Sequence, residues 1–440
     1  MTPVERFREL LAIPTVSHVD PTRTDTARFD EFLAALERLY PLVHTHLERE
    51  VVAGHALLYR WRGASSLEPL LLLAHQDVVD TAGQPWTRDP FAAAVEGEGV
   101  DATIYARGAI DDKGALVAIL EAVEQALAAG VVPRADVWLA FGHDEETLGE
   151  GAQAIAALLA ERGVRPALVL DEGGAVVEGA LPGIGVPTAM IGVAERGSAT
   201  FELIAREAGG HASTPPSFPA TARLARAIDR VRRRPFPRRL VPPVRAMLAS
   251  AAAHAPEPVR TVFRRAAVTA PLLTAAFALL GPETNALVRT TAVVTRLEGS
   301  AGDNVLATTA RATVNVRLLT GETISDAAIH LRRAVGDPLI DIELRNGSDP
   351  SPVSPWQGTG WRRLAAAVAE TLGEDVVPLP YLQLGASDSR FYTGLTDHVY
   401  RFAPFHLTRA ERDALHAPDE RIRVEVWLRG IGFYRALLAS

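Results

Sequence analysis

PLLLLAHQD, residues 69–77, is a short aliphatic run that stops at a histidine and an aspartate. Such a run, bounded by polar residues, reads as a strand buried on both faces. The pattern recurs twice. ADVWLAF (135–141) runs into Gly142-His143-Asp144-Glu145-Glu146, and ALVL (167–170) runs into Asp171-Glu172. Between them, 114–129 is an alanine- and leucine-rich helix ending at Gly130, and 150–162 is a second helix. This alternation predicts an α/β domain with a mixed, largely parallel sheet and flanking helices. Ligand sites in such sheets lie beyond the carboxyl ends of the strands. All three runs end in histidine or carboxylates, so the position alone predicts a site.

Outward from this core, 4–12 and 24–40 have helical periodicity, and 47–61 alternates as a strand or hairpin. The character changes near residue 195. Residues 197–206 and 309–319 look like half-exposed strands, 218–234 and roughly 243–280 like helices broken by prolines, 322–334 like a helix and 338–345 like a strand. This predicts an inserted α+β lid domain over 195–346, interrupting a catalytic domain made of 1–194 and 347–440, with Gly-Ser-Asp-Pro-Ser-Pro (347–352) as the return linker. A helix at 424–438 closes the chain.

With 440 residues the chain is too long for one ordinary core. The net charge of −8 excludes a general affinity for nucleic acid, and the arginine cluster at 230–239 (RVRRRPFPRR) reads as a solvated helix end and loop. No cysteine is present, which excludes disulfides, thiolate metal sites and a cysteine nucleophile. No apolar stretch is long enough to span a bilayer, and the N-terminus lacks the pattern of a secretory signal, so a cytoplasmic location is expected. Lys113 is the only lysine among 45 basic residues. A lysine in so arginine-biased a chain points to a position that needs a compact ammonium.

The candidate chemistry lies at the element ends. His75 is a potential metal ligand, and Asp77, two residues on, can take its other ring proton. Asp111-Asp112 lies on a glycine-flanked loop before a helix, where two adjacent carboxylates call for exposure or a cation. In Asp144-Glu145-Glu146 one acid can bind metal while its neighbour acts as general base. Asp171 adds a carboxylate and His416 a second histidine. Nitrogen and oxygen donors without sulfur suit Zn²⁺, and also Co²⁺ or Mn²⁺. Five such ligands exceed what one open catalytic ion takes and suit two ions sharing a carboxylate.

Taken together, LLLAHQDVV (71–79), ARGAIDDKGA (106–115), FGHDEETLGEGA (141–152), VLDEGG (169–174), GGHASTP (209–215), NVLATTARATVNVR (304–317) and LHAPDERI (415–422) resemble the M20 metallopeptidase family, in the family's order. GHDEE, LDEGG and GASDSRFY are most similar to its carboxypeptidase S-like branch, which includes N-acyl amino acid hydrolases. The resemblance implies that Asp111 bridges two metal ions, that His75 and Asp171 complete one shell, and that Glu146 and His416 complete the other. It implies Glu145 as general base, Asp77 as the group orienting His75, and His211 as an oxyanion donor that in this family can come from a partner subunit. It implies Asn304 and Arg317 as substrate contacts, with Arg317 gripping a carboxylate, and Gly385 as a position leaving room for substrate. The expected activity is di-zinc hydrolysis of an amide beside a free carboxylate, in dipeptides or N-acyl amino acids. The alternatives are a dedicated deacylase of an N-acetyl or N-succinyl amino acid and a non-catalytic metal-binding relative. The expected partner is a small-molecule or short-peptide substrate, with a homodimer through the lid domain as a further expectation. Two departures from the family pattern stand out: Asp80 replaces a frequent proline, and 235–290 is longer than in compact members.

Overall fold

The computed structural model describes residues 1–440. Its largest unit is a nine-stranded sheet in which Leu70–His75 lies between Val137–Gly142 and Leu168–Asp171, parallel to both. The three apolar runs are therefore neighbours at the sheet centre, every residue of each strand being buried. Pairing in parallel register sets His75 opposite Gly142 and aligns the three carboxyl ends. Val399–Arg401 continues the parallel run beside Leu168–Asp171; Thr188–Glu195 follows antiparallel to it, and Val377–Gln383 lies parallel to Thr188–Glu195. On the other side Ala56–Trp61 and Glu48–Val52 add antiparallel strands, so the sheet is mixed with a parallel centre.

Alternate side chains of the central strand serve two cores. Leu70, Leu72 and Ala74 join the main core with Leu116, Ile119, Leu120 and Trp427 of the helices Lys113–Ala128 and Val424–Ala439. Leu71 and Leu73 join Ile155 and Leu159 of the helix Glu150–Glu161 on the opposite face. Period-two alternation of side chains across a strand makes this division automatic.

A second, four-stranded antiparallel sheet has the order Thr291–Glu298, Thr309–Leu318, Gly197–Arg206, Ile340–Ser348. The helices Ala220–Arg233 and Ile324–Val335 cover one face, and Phe201, Leu224, Val314 and Leu331 belong to a core of its own. The helical stretch between its two halves is packed differently from the expectation. Val244, Met247, Leu248, Leu273 and Phe277 are part of the main core, and Pro242–Ala251 packs against Val377–Gln383. The 195–346 segment is thus not one compact insert. The physical reason is apolar burial: Val377–Gln383 ends the sheet on this side, and Leu379 and Leu382 share the main core with these helices. Pro378 and Pro380 obscure that strand in the sequence, although prolines are tolerated on an edge. No helix is long and apolar enough to cross a membrane.

Lys113 ties the N-terminal helix to the site loop. Its ammonium is fully buried and donates to the carbonyls of Ile13 at 2.5 Å and Leu10 at 3.2 Å, just past and within the helix Pro3–Leu11. It also lies over the Phe32 ring, 4.9 Å from the centroid. Burial pushes its pKa down to about 7. A guanidinium is bulkier, and this side chain is fully enclosed. Lys113→Arg is expected to lower stability to urea by about 1–3 kcal/mol through overpacking, despite keeping the charge. An unfolding midpoint equal to that of the parent would contradict the need for a compact ammonium.

Candidate metal centre

The site begins at the end of the central strand. His75 is buried, with Nδ1 3.0 Å from the carbonyl oxygen of Asp77 and 3.3 Å from its Oδ1. That leaves Nε2 facing Asp111 Oδ1 at 3.0 Å. Burial disfavours the imidazolium, but the contacts to Asp111 and Asp77 outweigh it and push the His75 pKa well up. Asp77 does more than orient the ring. Its carboxylate accepts the backbone N–H groups of Glu145 and Glu146, each at 3.1 Å, and the Ser17 hydroxyl at 2.5 Å. One buried aspartate therefore fixes both the first histidine and the loop bearing the acid pair.

Asp111 stands between two histidines. Its Oδ2 is 2.9 Å from His416 Nε2, and the same nitrogen is 3.1 Å from Glu146 Oε1. The His416 backbone is left-handed, with φ of 57°, a conformation uncommon outside glycine. Contacts with Asp111 and Glu146 push its pKa up to about 10. Glu420, four residues on, is fully buried and holds the Asp111 loop. Its Oε1 accepts the N–H of Ile110 at 2.8 Å and of Asp111 at 3.2 Å, while Oε2 accepts Gly108 N–H and pairs with Arg107 at 2.6 Å. The segment carrying His416 thus also positions the carboxylate facing it.

Ligand atoms of His75, Asp111 and Glu146 lie within 4.8 Å of one another. Asp171 is adjacent but differently engaged, accepting Glu172 N–H at 2.9 Å and Ser389 N–H at 2.6 Å. Burial, then repulsion from Asp388, Glu146 and Asp111, pushes Glu145 well up. Glu172 is raised in the same way, with Asp111, Asp112 and Glu145 as neighbours. Several oxygens lack donors: Asp112 Oδ1, both oxygens of Asp388, and Glu146 Oε1, whose approach to His416 is close but not aligned as a hydrogen bond. Unpartnered buried carboxylate oxygens are costly without a cation. Divalent cations held by His75, His416 and these carboxylates would satisfy that demand, and an all-nitrogen-and-oxygen donor set fits them.

A buried frame behind the centre was not visible in the sequence. Glu195 Oε2 accepts Ser387 N–H at 3.2 Å and Arg401 Nε at 3.3 Å, and Arg401 is fully buried. This holds the Ser387–Ser389 turn whose N–H meets Asp171. Asp388 of the same turn packs directly against Gly142 and Gly149, where an added Cβ would come within 2.6 and 2.8 Å of its carboxylate.

The remaining expected residues separate into two groups. Arg317 is half-buried where the small domain meets the large one, close to Arg196 and Arg390. Burial and the nearby Arg390 lower its pKa. Its one side-chain hydrogen bond runs from Nε to Asn315 at 3.3 Å, and neither Arg317 nor Arg390 enters a salt bridge. His211 and Asn304 are exposed on a short ribbon in which Gly210–His211 pairs with Val305–Leu306. His211 Nδ1 contacts Ser213 Oγ at 2.7 Å, and the Asn304 carbonyl accepts Ala212 N–H at 3.0 Å. The ribbon adjoins Thr309, the far end of the strand Thr309–Leu318 that carries Arg317. At about 3.3 Å per residue that strand separates the two groups by roughly 26 Å. Within this chain, then, His211 and Asn304 lie a strand's length from Arg317, and Asn304 and Arg317 do not meet one small substrate. Gly385 is exposed, and an added Cβ would touch only the Gln383 amide at 3.8 Å.

The pattern of peptidase family M20/M25/M40 matches residues 71–440. The chain is 32% identical over 442 residues to the human N-fatty-acyl-amino acid synthase/hydrolase PM20D1, covering 99% of this chain and 87% of that one. It is 31% identical to the probable carboxypeptidase S-like 2 of Dictyostelium discoideum, covering 96% of this chain and 80% of that one. Among solved structures, the M20 metallo-carboxypeptidase Sso-CP2 of Sulfolobus solfataricus superposes with a TM-score of 0.70 at 19% identity, over 100% of this chain and 98% of that one. The dinuclear metal-binding peptidase YXEP of Bacillus subtilis superposes at 0.60 with 14% identity, over 99% and 96%. The crowded carboxylates, the two histidines sharing Asp111 and this full-length similarity lead to one assignment: the chain is an amidohydrolase belonging to peptidase family M20/M25/M40.

Proposed function

We propose that the protein hydrolyses the amide bond of N-acyl amino acids, with peptides carrying a free C-terminal carboxylate as a second substrate class. The observation that carries this reading is the Asp111 carboxylate set between His75 and His416, with Glu146 against His416 and Glu145 beside them. Asp111 with His75 and Asp171 would hold one divalent ion, and Asp111 with His416 and Glu146 the other, zinc being the best match to the donors. Bound there, the pair would supply Lewis acidity toward water and the scissile carbonyl.

The rest is the work of the chain's own groups. Glu145 has no competing side-chain hydrogen bond and accepts the proton of the attacking water. The water oxygen adds to the amide carbon, the C–N bond breaks, and Glu145 returns the proton to the departing nitrogen. Its raised pKa suits a group that must both take and release a proton. Asp77 keeps His75 and the Glu145–Glu146 backbone in register throughout. Arg317, with unpaired terminal N–H groups, receives the substrate carboxylate, and Arg390 adds positive potential beside it.

The strand-length separation of His211 from Arg317 supports a second copy, joined through the four-stranded domain, as the source of the oxyanion donor. The similarity to a fatty-acyl amino acid hydrolase favours a long acyl group over acetyl or succinyl. A non-catalytic role is disfavoured because each expected ligand type and the base are present.

Two variants test the assignment. Glu145→Gln is expected to keep its bound metal yet lose two to four orders of magnitude in kcat, about the contribution of a general base. Near-normal turnover in that variant contradicts the assigned base. Arg317→Ala is expected to raise KM strongly for N-oleoyl-phenylalanine and little for its methyl ester. Equal effects on acid and ester contradict the carboxylate grip.

A further inference from the structure

The helix Ala266–Leu280 contains no charged residue, yet only one side of it is packed. Leu273 and Phe277 point into the main core. Val268, Leu272 and Leu279 are 81%, 61% and 87% exposed, and Leu280 beside them is 58% exposed. At 100° per residue the first three project within about 40° of one another. They form a continuous aliphatic stripe of the kind that marks an interaction surface.

Charge flanks the stripe. The preceding helix Val259–Arg264 and its exit carry Arg260, Arg264 and Arg265, all exposed and none in a salt bridge. Between Arg238 and Arg289 there are seven arginines against two acids, Glu257 and Glu283, in a chain whose net charge is −8. Glu257 is occupied by the Thr261 hydroxyl at 2.8 Å, and Glu283 lies 3.8 Å from Arg412, so neither neutralises the three.

We propose that this face docks on an anionic lipid bilayer, the stripe entering the acyl boundary and the arginines meeting the headgroups. Two features favour lipid over other occupants. A second copy seated on the same face would bring the arginine groups against themselves across the symmetry axis. A protein partner is less well matched, because the stripe is aliphatic and lacks the tyrosine, tryptophan and methionine that enrich protein interfaces. Apolar side chains rimmed by arginine are what an interfacial anchor uses. With 15 residues the helix is too short to span, so the attachment is peripheral. This docking surface is independent of which substrate the site takes.

The test is co-sedimentation of the full-length protein with vesicles of phosphatidylcholine alone or mixed with phosphatidylglycerol. The expected result is sedimentation with the mixed vesicles and release by high salt. Leu272→Glu/Leu279→Glu should reduce partitioning more than tenfold, and Arg264→Gln/Arg265→Gln should remove the preference for phosphatidylglycerol. Hydrolysis of a soluble short-chain N-acyl amino acid should be unchanged in both, which separates this proposal from the hydrolase reading. Absence of sedimentation at low salt overturns it, as does parental binding by the leucine variant. A solution dimer dissociated by that variant would assign the face to a second copy and also overturn it.

Discussion

The arrangement depends on an electrostatic constraint: Asp77, Asp111, Asp112, Glu145, Glu146, Asp171 and Asp388 converge at the ends of three parallel strands, largely shielded from water. The cationic side chains in direct contact with the central members are His75 and His416. Isolated burial of so many carboxylates is prohibitive, and protonation or metal coordination is the usual relief. Raised pKa values at Glu145, Glu146, Asp171 and Asp388, all driven first by burial, express the same pressure. An M20 hydrolase built this way would turn that pressure to use, because the groups that demand cations are the groups placed to hold them.

Precision comes from carboxylates that never need to touch substrate. Asp77 joins the central strand to the loop after Val137–Gly142, and Glu420 joins the C-terminal segment to the Asp111 loop. Glu195 with Arg401 fixes the turn that braces Asp171. Each accepts backbone N–H groups, so the loops are held by main chain and not only by side-chain contact. Supporting shells of this kind govern how accurately ligands are placed.

Much of the candidate centre was legible because its residues follow local rules. His75, the 144–146 acids and Asp171 terminate aliphatic runs, and parallel pairing brings such ends together. The frame was not legible, since Glu420 meets Arg107 from 313 residues away and Glu195 meets Arg401 from 206. Glu420 lies within LHAPDERI, yet that motif does not say which residues it meets, and Glu195 has no local pattern that distinguishes it from a surface acid. The edge strand Val377–Gln383 was hidden by its prolines, and with it the reason that 242–288 packs on the large domain. His211 and Asn304 lie within recognisable motifs, yet a motif carries no distance. The extended strand between their ribbon and Arg317 sets that distance, and it separates them from Arg317 in a single chain.

The central claim is that two metal ions compensate the buried carboxylates and are required for turnover. The most direct measurement is the metal content of the purified protein by plasma mass spectrometry, alongside its rate of N-acyl amino acid hydrolysis before and after exhaustive chelation. The account predicts two divalent ions per chain, loss of hydrolysis when they are removed, and recovery on adding Zn²⁺ or Co²⁺. Full hydrolysis by protein verified to be metal-free would contradict it.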